Sequence, residues 1–456
     1  MRRTPVISSR RGRLVAALVA SSCAAALAAG PFGSTAVAAD KPQAAHNVTF
    51  TSWDFGDGDP GGDYDGAQRS DGGMLTMEGA TTPTTMRSYD DPHDAAATLV
   101  TYDEGTWVSP EIDPATFDFT ELIASWNAHT PGGSWIEVSV TGTTKGAVAG
   151  GTKDYVLGRW SENDDKGFHS TSVPGQGDVQ ATVAIDTLVA RPGVTFDDAQ
   201  IRVSLLRPQN SPVSPTVDFI GAMASQVVAA KKHTVSATTM KPTEDDLVLD
   251  VPTYSQETHI GHYPQWDGGG EAWCSPTSTT MVVRYWDEDA PPAADYGWVF
   301  GNEATHSDRY VDYAARYTYD YNYDGAGNWP FNTAYAARFG NEAFVTRLRS
   351  LAEAEQFIKE DIPLVVSMSF KKGELSGAGY GSNGHLLTIV GFEADGDVVV
   401  NDPASHLIQS NDEVRVTYDR AEFEAAWIGT TGGITYVIHP EAKPLPPALA
   451  GAPANW

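Results

Sequence analysis

Two kinds of chain are joined near Val251, and that change of periodicity is what most limits the fold. Before it, residues 47–225 carry short runs that fit a repeat of two, among them Ser134 to Thr141, Val179 to Val189 and Ala199 to Leu206. Turn clusters such as Thr130-Pro131-Gly132-Gly133 bound them. Repeated short strands separated by turn residues pack as antiparallel layers. No run here has a convincing helical period. The expectation for 47–225 is an all-β sandwich or jelly roll.

After Val251 the pattern mixes. Ser275 to Glu288 reads as a helix with proline in its first turn, and Asn332 to Phe339 and Ser350 to Lys359 also look helical. Leu364 to Phe370, His385 to Phe392, Asp397 to Asn401 and Ile434 to His439 read as strands. Glu393-Ala394-Asp395-Gly396 is a hairpin turn between two of them. Helices first and antiparallel strands later is an α+β pattern, assigned to residues 251–440. Residues 226–250 lose aromatics and gain Lys231, Lys232 and Lys241, so they read as a linker, with room for one strand. Residues 441–456, rich in Pro and Ala, are expected to be a disordered tail.

The first 39 residues are set apart as an export signal. Arg2, Arg3, Arg10, Arg11 and Arg13 precede an apolar run from Leu14 to about Ala29, and Ala36-Val37-Ala38 offers small residues for cleavage near Ala39. Ser9-Arg10-Arg11-Gly12-Arg13-Leu14 resembles a twin-arginine signal, with Arg13 where an apolar residue is more usual. The expected location is secreted, extracellular. No later stretch approaches the ~20 apolar residues of a membrane span.

The chain has 30 Lys plus Arg against 59 Asp plus Glu, a formal charge of −29. Such a balance argues against nucleic acid and against anionic lipid, both of which need a basic face. Its two cysteines are Cys23, inside the signal, and Cys274. Cys274 is therefore left alone after cleavage. That rules out an internal disulfide and any cysteine-based zinc or iron–sulfur cluster. An unpaired thiol in an oxidising compartment is a liability unless it is buried or used.

Its context points to use. Gly268-Gly269-Gly270-Glu271-Ala272-Trp273 leads into Cys274, and a helix begins directly after it. A helix N-terminus favours thiolate over thiol. A thiol nucleophile needs a base, and His385 stands at the mouth of an apolar strand after Asn383-Gly384, whereas His259, His262 and His406 lie in loops. The hairpin folds Asn401-Asp402-Pro403 back towards His385, so Asp402 can orient the imidazole, with Asn401 as competitor. The oxyanion needs donors: the Cys274 backbone N–H is one, and Gln256 or Gln265 supplies the other, a choice that spacing leaves open.

Residues from about 250 to 440 resemble cysteine peptidase family 39, the bacteriocin-processing-like peptidases with a papain-like fold, and more narrowly its secreted actinobacterial members. The resemblance is carried by the Gln256 region, Trp273-Cys274-Ser275-Pro276-Thr277-Ser278, Gly327-Asn328-Trp329-Pro330-Phe331-Asn332, Asn383-Gly384-His385-Leu386-Leu387 and Val400-Asn401-Asp402-Pro403. It implies Cys274 as nucleophile, His385 as base, Asp402 as orienting residue and Gln256 as oxyanion donor. Many members have Gly directly after the cysteine, where this chain has Ser275. The resemblance says nothing about residues 47–225.

Other motifs are weaker. Asp320, Asn322, Asp324 and Gly325 match the first half of a calcium loop, but Phe331 stands where a bidentate Glu is required, so a solvated loop beside the substrate groove is expected. Asp54, Asp57, Asp59, Asp63 and Asp65 read as a solvated acidic loop. His259-Ile260-Gly261-His262 lacks the Glu of a zinc-protease helix and is treated as a loop, so no metal and no cofactor is assigned. There is no Gly-x-Ser-x-Gly elbow. The expected function is a secreted cysteine peptidase-like hydrolase acting on peptide or protein substrates through a Cys-His-Asp triad and an acyl-enzyme. The alternative is a catalytically silent extracellular protein that binds glycan or cell-wall polymer through its β-sandwich, with Trp53, Trp107, Trp126, Trp135 and Trp160 as sugar platforms or, more ordinarily, as core.

Overall fold

A computed structural model describes residues 47–79, 85–95, 98–164, 167–226, 234–241, 245–301, 306–448 and 452–456. The export signal expected over 1–39 and part of the linker, including Lys231 and Lys232, lie outside the described residues.

The N-terminal region is all-β, two antiparallel sheets of seven strands each among the described residues. One is centred on Glu121–His129 and Thr216–Gln226, the other on Trp135–Gly146 and Val194–Pro208. Alternation sets the layers: Val194, Phe196, Ala199, Ile201, Val203 and Leu205 are buried along one long strand. A register shift between Phe196 and Asp198 restores the pattern after one extra residue. The run expected as one strand from Val179 to Val189 is instead a tight hairpin of Ala181–Ala184 and Thr187–Ala190. Ile185, with φ of 63°, turns the chain between them. Trp107, Trp126, Trp135 and Trp160 are fully buried and Trp53 nearly so, which makes all five core residues.

The second region is α+β. Its antiparallel sheet runs in the order Asn341–Arg347, Ile434–Pro440, Leu364–Phe370, Ser382–Phe392, Val398–Asn401 and Arg415–Tyr418. The linker contributes Leu247–Val248, paired with Phe392 and Gly391. Helix α1 spans Cys274–Trp286, α2 Arg309–Tyr317, α3 Trp329–Ala337, α4 Leu351–Lys359 and α5 Arg420–Thr431. Local capping sets several boundaries. Asn328, Ser350 and Asp419 accept backbone N–H groups at the starts of α3, α4 and α5, and Gly432 ends α5 in the left-handed conformation. Among the strands and α-helices of this region, four have no counterpart in the sequence reading: α2, the edge strands Asn341–Arg347 and Arg415–Tyr418, and α5.

The two regions share hydrogen bonds and core. Asn341–Arg347 is the edge of the second region's sheet, and an open edge exposes unpaired backbone groups. Here Asn127 covers it from the β region: its amide donates to the Ala343 carbonyl (2.7 Å) and accepts the Ala343 N–H (3.1 Å). Ser125 Oγ accepts the Val345 N–H at 2.8 Å. Phe331 and Ala334 of α3 lie in the core of the β region, beside Trp126. Gly158 makes that approach possible, because a Cβ there would fall 2.8 Å from the Trp126 ring and 3.1 Å from Phe331.

Two expectations are corrected. The loop around Asp320 is not a solvated rim of the substrate groove. Asp320 is fully buried, and its carboxylate accepts the backbone N–H groups of Ser172, Asn322 and Tyr323 and the Asn328 amide, tying the loop to the β region. The tail expected to be disordered is docked at its end. The Asn455 amide donates to the Arg347 carbonyl and to Glu353, Arg349 donates to Asn455 and to the carbonyls of Val48 and Pro453, and the Trp456 ring packs on Phe357. Its Pro- and Ala-rich composition carries no core of its own, but a buried amide and a tryptophan are enough to hold the end.

Asn127→Ala strands one buried N–H and one buried C=O at the Ala343 edge. The expected cost is about 2–3 kcal/mol, read as a lower urea midpoint with an unchanged slope.

Candidate active site

The segments that carry chemistry meet at one end of the second region's sheet. Cys274 is the first residue of α1 and is 4% exposed. The N–H groups of that first turn have no intrahelical acceptor and present partial positive charge to the thiol. The helix is held over the sheet one turn further on, where Ser278 Oγ donates to the Leu386 carbonyl (3.2 Å) and Thr388 Oγ1 donates to the Ser278 carbonyl (3.4 Å). Leu386 directly follows His385, so the same contact seats the start of α1 beside the histidine. Ser275 is buried and shares a 3.0 Å hydrogen bond with the Tyr436 hydroxyl.

His385 lies in Ser382–Phe392, paired with Met368. Its Nε2 is 2.8 Å from Asp402 Oδ1, which leaves Nδ1 as the ring nitrogen available to the cleft. Asp402 follows directly on the strand Val398–Asn401, and Thr388–Asn401 pairing folds it back under the ring. The carboxylate is wholly buried and collects donors from several segments: Tyr380 (2.8 and 3.0 Å), Tyr418 (2.8 Å) and the Ala404 N–H (3.0 Å) besides the imidazole. Burial pushes Asp402 up, yet the charge and hydrogen bond of His385 and the two tyrosine hydroxyls carry it below its ordinary value. The same environment raises Tyr380 well above the usual phenol range, first through burial and then through Asp402.

Gln256 opens a short 3-10 helix, Gln256–His259. Its backbone N–H donates to the Pro403 carbonyl (2.9 Å), and its side-chain Nε2 donates to the Glu271 carbonyl (2.7 Å). Gln256, Cys274 and His385 line one cleft of about 380 Å³, with Glu257, Tyr380 and Leu407 among its other walls. Gln265 is exposed and not among the cleft residues. Asn401 is spent elsewhere: its amide donates to the Val251 and Pro252 carbonyls and accepts from Arg415. The structure thus brings Gln256, Cys274, His385 and Asp402 together, and it separates Asn401 and Gln265 from them.

Sequence reasoning missed three features. Tyr380 and Tyr418 hold Asp402 but are ordinary aromatics in sequence. Glu257, adjacent to Gln256, faces the cleft, and burial, followed by the nearby Glu271 charge, pushes it up to about 7. Finally, His259 and His262 do not stand in an isolated loop, because His306 and Asp312 are folded against them. Nothing local marks these partners, which lie about fifty positions downstream.

A cysteine at a helix N-terminus, set against a His–Asp pair on an antiparallel sheet, is the architecture of the α+β cysteine peptidases. Residues 248–434 match the Peptidase_C39 like family, and residues 49–225 match the Peptidase C39 N-terminal domain. The chain belongs to the Peptidase C39-like family and carries the actinobacterial C39 N-terminal domain ahead of the peptidase-like one. No curated protein and no solved structure matches it significantly.

Glu257 yields a stability test. Its value is raised from an ordinary 4.5 to about 7, so within that window the folded chain holds a proton that the unfolded chain has released. Stability from this group is present at low pH and is lost as pH rises towards 7, then levels. Glu257→Gln removes the loss. The expected result is a melting-temperature difference in favour of the variant that grows between pH 5 and pH 8; a difference independent of pH would show that Glu257 does not titrate there.

Proposed function

We propose that this chain is a secreted cysteine peptidase that cleaves peptide bonds through an acyl-enzyme. The observation that carries the reading is the 2.8 Å His385–Asp402 pair behind a cleft that Cys274 and His385 both line. Asp402 fixes the ring with Nε2 towards the carboxylate, so Nδ1 takes the Cys274 proton. The thiolate attacks the scissile carbonyl, and the oxyanion that forms is met by the Cys274 backbone N–H and the Gln256 amide. His385 returns its proton to the leaving amine, and a water, deprotonated by the same nitrogen, releases the acyl group. Family membership supports a peptide substrate. Among the described residues, no helix is long and apolar enough to cross a membrane. Secretion rests on the N-terminal signal pattern.

The silent-binder reading gains nothing from the tryptophans, since none of the five offers a face to a sugar. The β region is placed instead as a support: it covers an edge of the peptidase-like sheet and receives α3 into its own core.

Cys274→Ala and His385→Ala are expected to abolish cleavage of a peptide library, and Asp402→Asn to lower kcat by about 10²-fold or more. Before turnover is tested, Cys274 in the wild-type chain should react with a thiol probe at neutral pH much faster than an ordinary exposed thiol, and His385→Ala should slow it. Labelling at the ordinary rate, together with no library cleavage, would return the chain to the silent-binder reading. Sequencing of the exported protein is expected to find its N-terminus near Asp40.

A further inference from the structure

A second cluster of chemistry-bearing side chains stands behind the oxyanion arm. His259 ends the Gln256–His259 helix, His262 lies in the turn that follows, and His306 and Asp312 come from the start of α2 and the segment before it. Their ligand-type atoms all lie within 4.8 Å of one another. His259 Nδ1 is 3.0 Å and His306 Nε2 2.8 Å from one oxygen of Asp312, and His262 Nδ1 is 3.1 Å from the other. The three rings are mutually near-perpendicular, at 80°, 81° and 88°, so they meet edge-on at one corner. His259 and Asp312 have no exposed surface, His306 is buried, and His262 is the most exposed of the four.

The charge and donor types of the cluster suit a cation. Asp312 is a buried carboxylate, and among the described residues its ion-pair partners are these three histidines, with no Lys or Arg. A buried carboxylate needs a compensating positive charge, which either a protonated imidazole or a bound cation provides. A divalent ion would supply that charge and take a lone pair from each ring. Three imidazole nitrogens and one carboxylate oxygen are a closed four-coordinate donor set of the zinc type. Bonds of about 2.0–2.1 Å in a tetrahedron place ligand atoms about 3.3 Å apart, a few tenths beyond the three nitrogen–carboxylate separations and inside the 4.8 Å that spans the whole set. Among the described residues the other ring nitrogen of His259, Nε2, is buried without a hydrogen-bond partner, so the hydrogen bonding of that ring is through Nδ1 to the cluster.

We propose that His259, His262, His306 and Asp312 bind one divalent transition metal of the zinc class, which clamps α2 to the segment that carries Gln256. The clamp has a short path to the cleft. Gly270 packs so tightly on the Gln256–His259 helix that a Cβ would lie 2.5 Å from the Gln256 carbonyl oxygen, and four residues later the chain reaches Cys274. The metal is structural, with no open position for substrate, and its binding does not depend on the chain being a peptidase.

The experiment uses the full chain, stripped with chelator and reloaded with zinc or cobalt. Expected are one ion per chain by mass spectrometry of the metal after gel filtration, and the intense visible absorption of four-coordinate cobalt. His262→Gln, at the partly exposed ligand, and Asp312→Asn should each weaken zinc by more than about 100-fold, beyond what loss of a supporting contact costs, while His129→Ala keeps wild-type stoichiometry. Circular dichroism separates loss of metal from loss of fold, and the wild-type stoichiometry and cobalt spectrum stand even where a variant does not fold. A folded wild-type chain that takes up no ion overturns the proposal and leaves the cluster a proton-sharing network; so does uptake that survives Asp312→Asn in folded protein. Loss of library cleavage on stripping, restored by zinc, would locate the effect at the oxyanion arm, whereas stoichiometric metal with no cleavage in any form would count against the peptidase reading alone.

Discussion

The buried carboxylate of Asp402 is the constraint around which the peptidase-like region is organised. An isolated charge in that position would cost several kcal/mol. It is tolerated because His385, Tyr380, Tyr418 and the Ala404 N–H all donate to it. Those donors come from the strand Ser382–Phe392 and the segment before it, from Arg415–Tyr418, and from the turn after Val398–Asn401. Satisfying one side chain therefore fixes the relative positions of the chain segments that form the floor of the cleft. The Pro403 carbonyl, one residue on, accepts from the Gln256 N–H and ties the segment that carries Gln256 to the same point.

The second constraint is the sheet edge. Asn341–Arg347 has backbone groups that must be paired, and the β region supplies Asn127 and Ser125 for the purpose. With Phe331 buried in the neighbouring core and Asp320 bonded to Ser172, the two regions join through both polar and apolar contacts. The docked C-terminal residues close the same seam, between the first β strand and α4. A module fixed in this way serves as a wall and a brace.

Much of the candidate site was legible because its signals are local. Cys274 stands at a Gly-rich loop and helix junction, His385 opens an apolar strand, and one short hairpin returns Asp402 to it; each of these is a matter of a few neighbouring residues. Strand periodicity was equally local, and Leu364–Phe370 is found where the apolar run places it. The misses share a different origin. The helix α2 is two-sided, but it is only nine residues long and rich in aromatic and charged side chains, and its buried face includes Asp312, which meets His259. Asp and Asn ordinarily sit in solvated loops, which is what the sequence around Asp320 suggests, and burial against another region reverses that.

By itself the sequence determined the division into a β-rich and an α+β half, the lone thiol at a helix start, and the histidine and aspartate that a hairpin must bring together. These follow from backbone periodicity and turn chemistry, which act over a few residues. Where the residues alone left Asn401 and Gln265 open, the tertiary structure pairs Asp402 with the imidazole and puts Gln256 in the cleft, as the family resemblance implies, and it alone decided that His306 and Asp312 join His259 and His262. Such choices depend on which buried polar groups find partners once distant segments are packed, and a buried donor or acceptor is satisfied across space, whatever its separation along the chain.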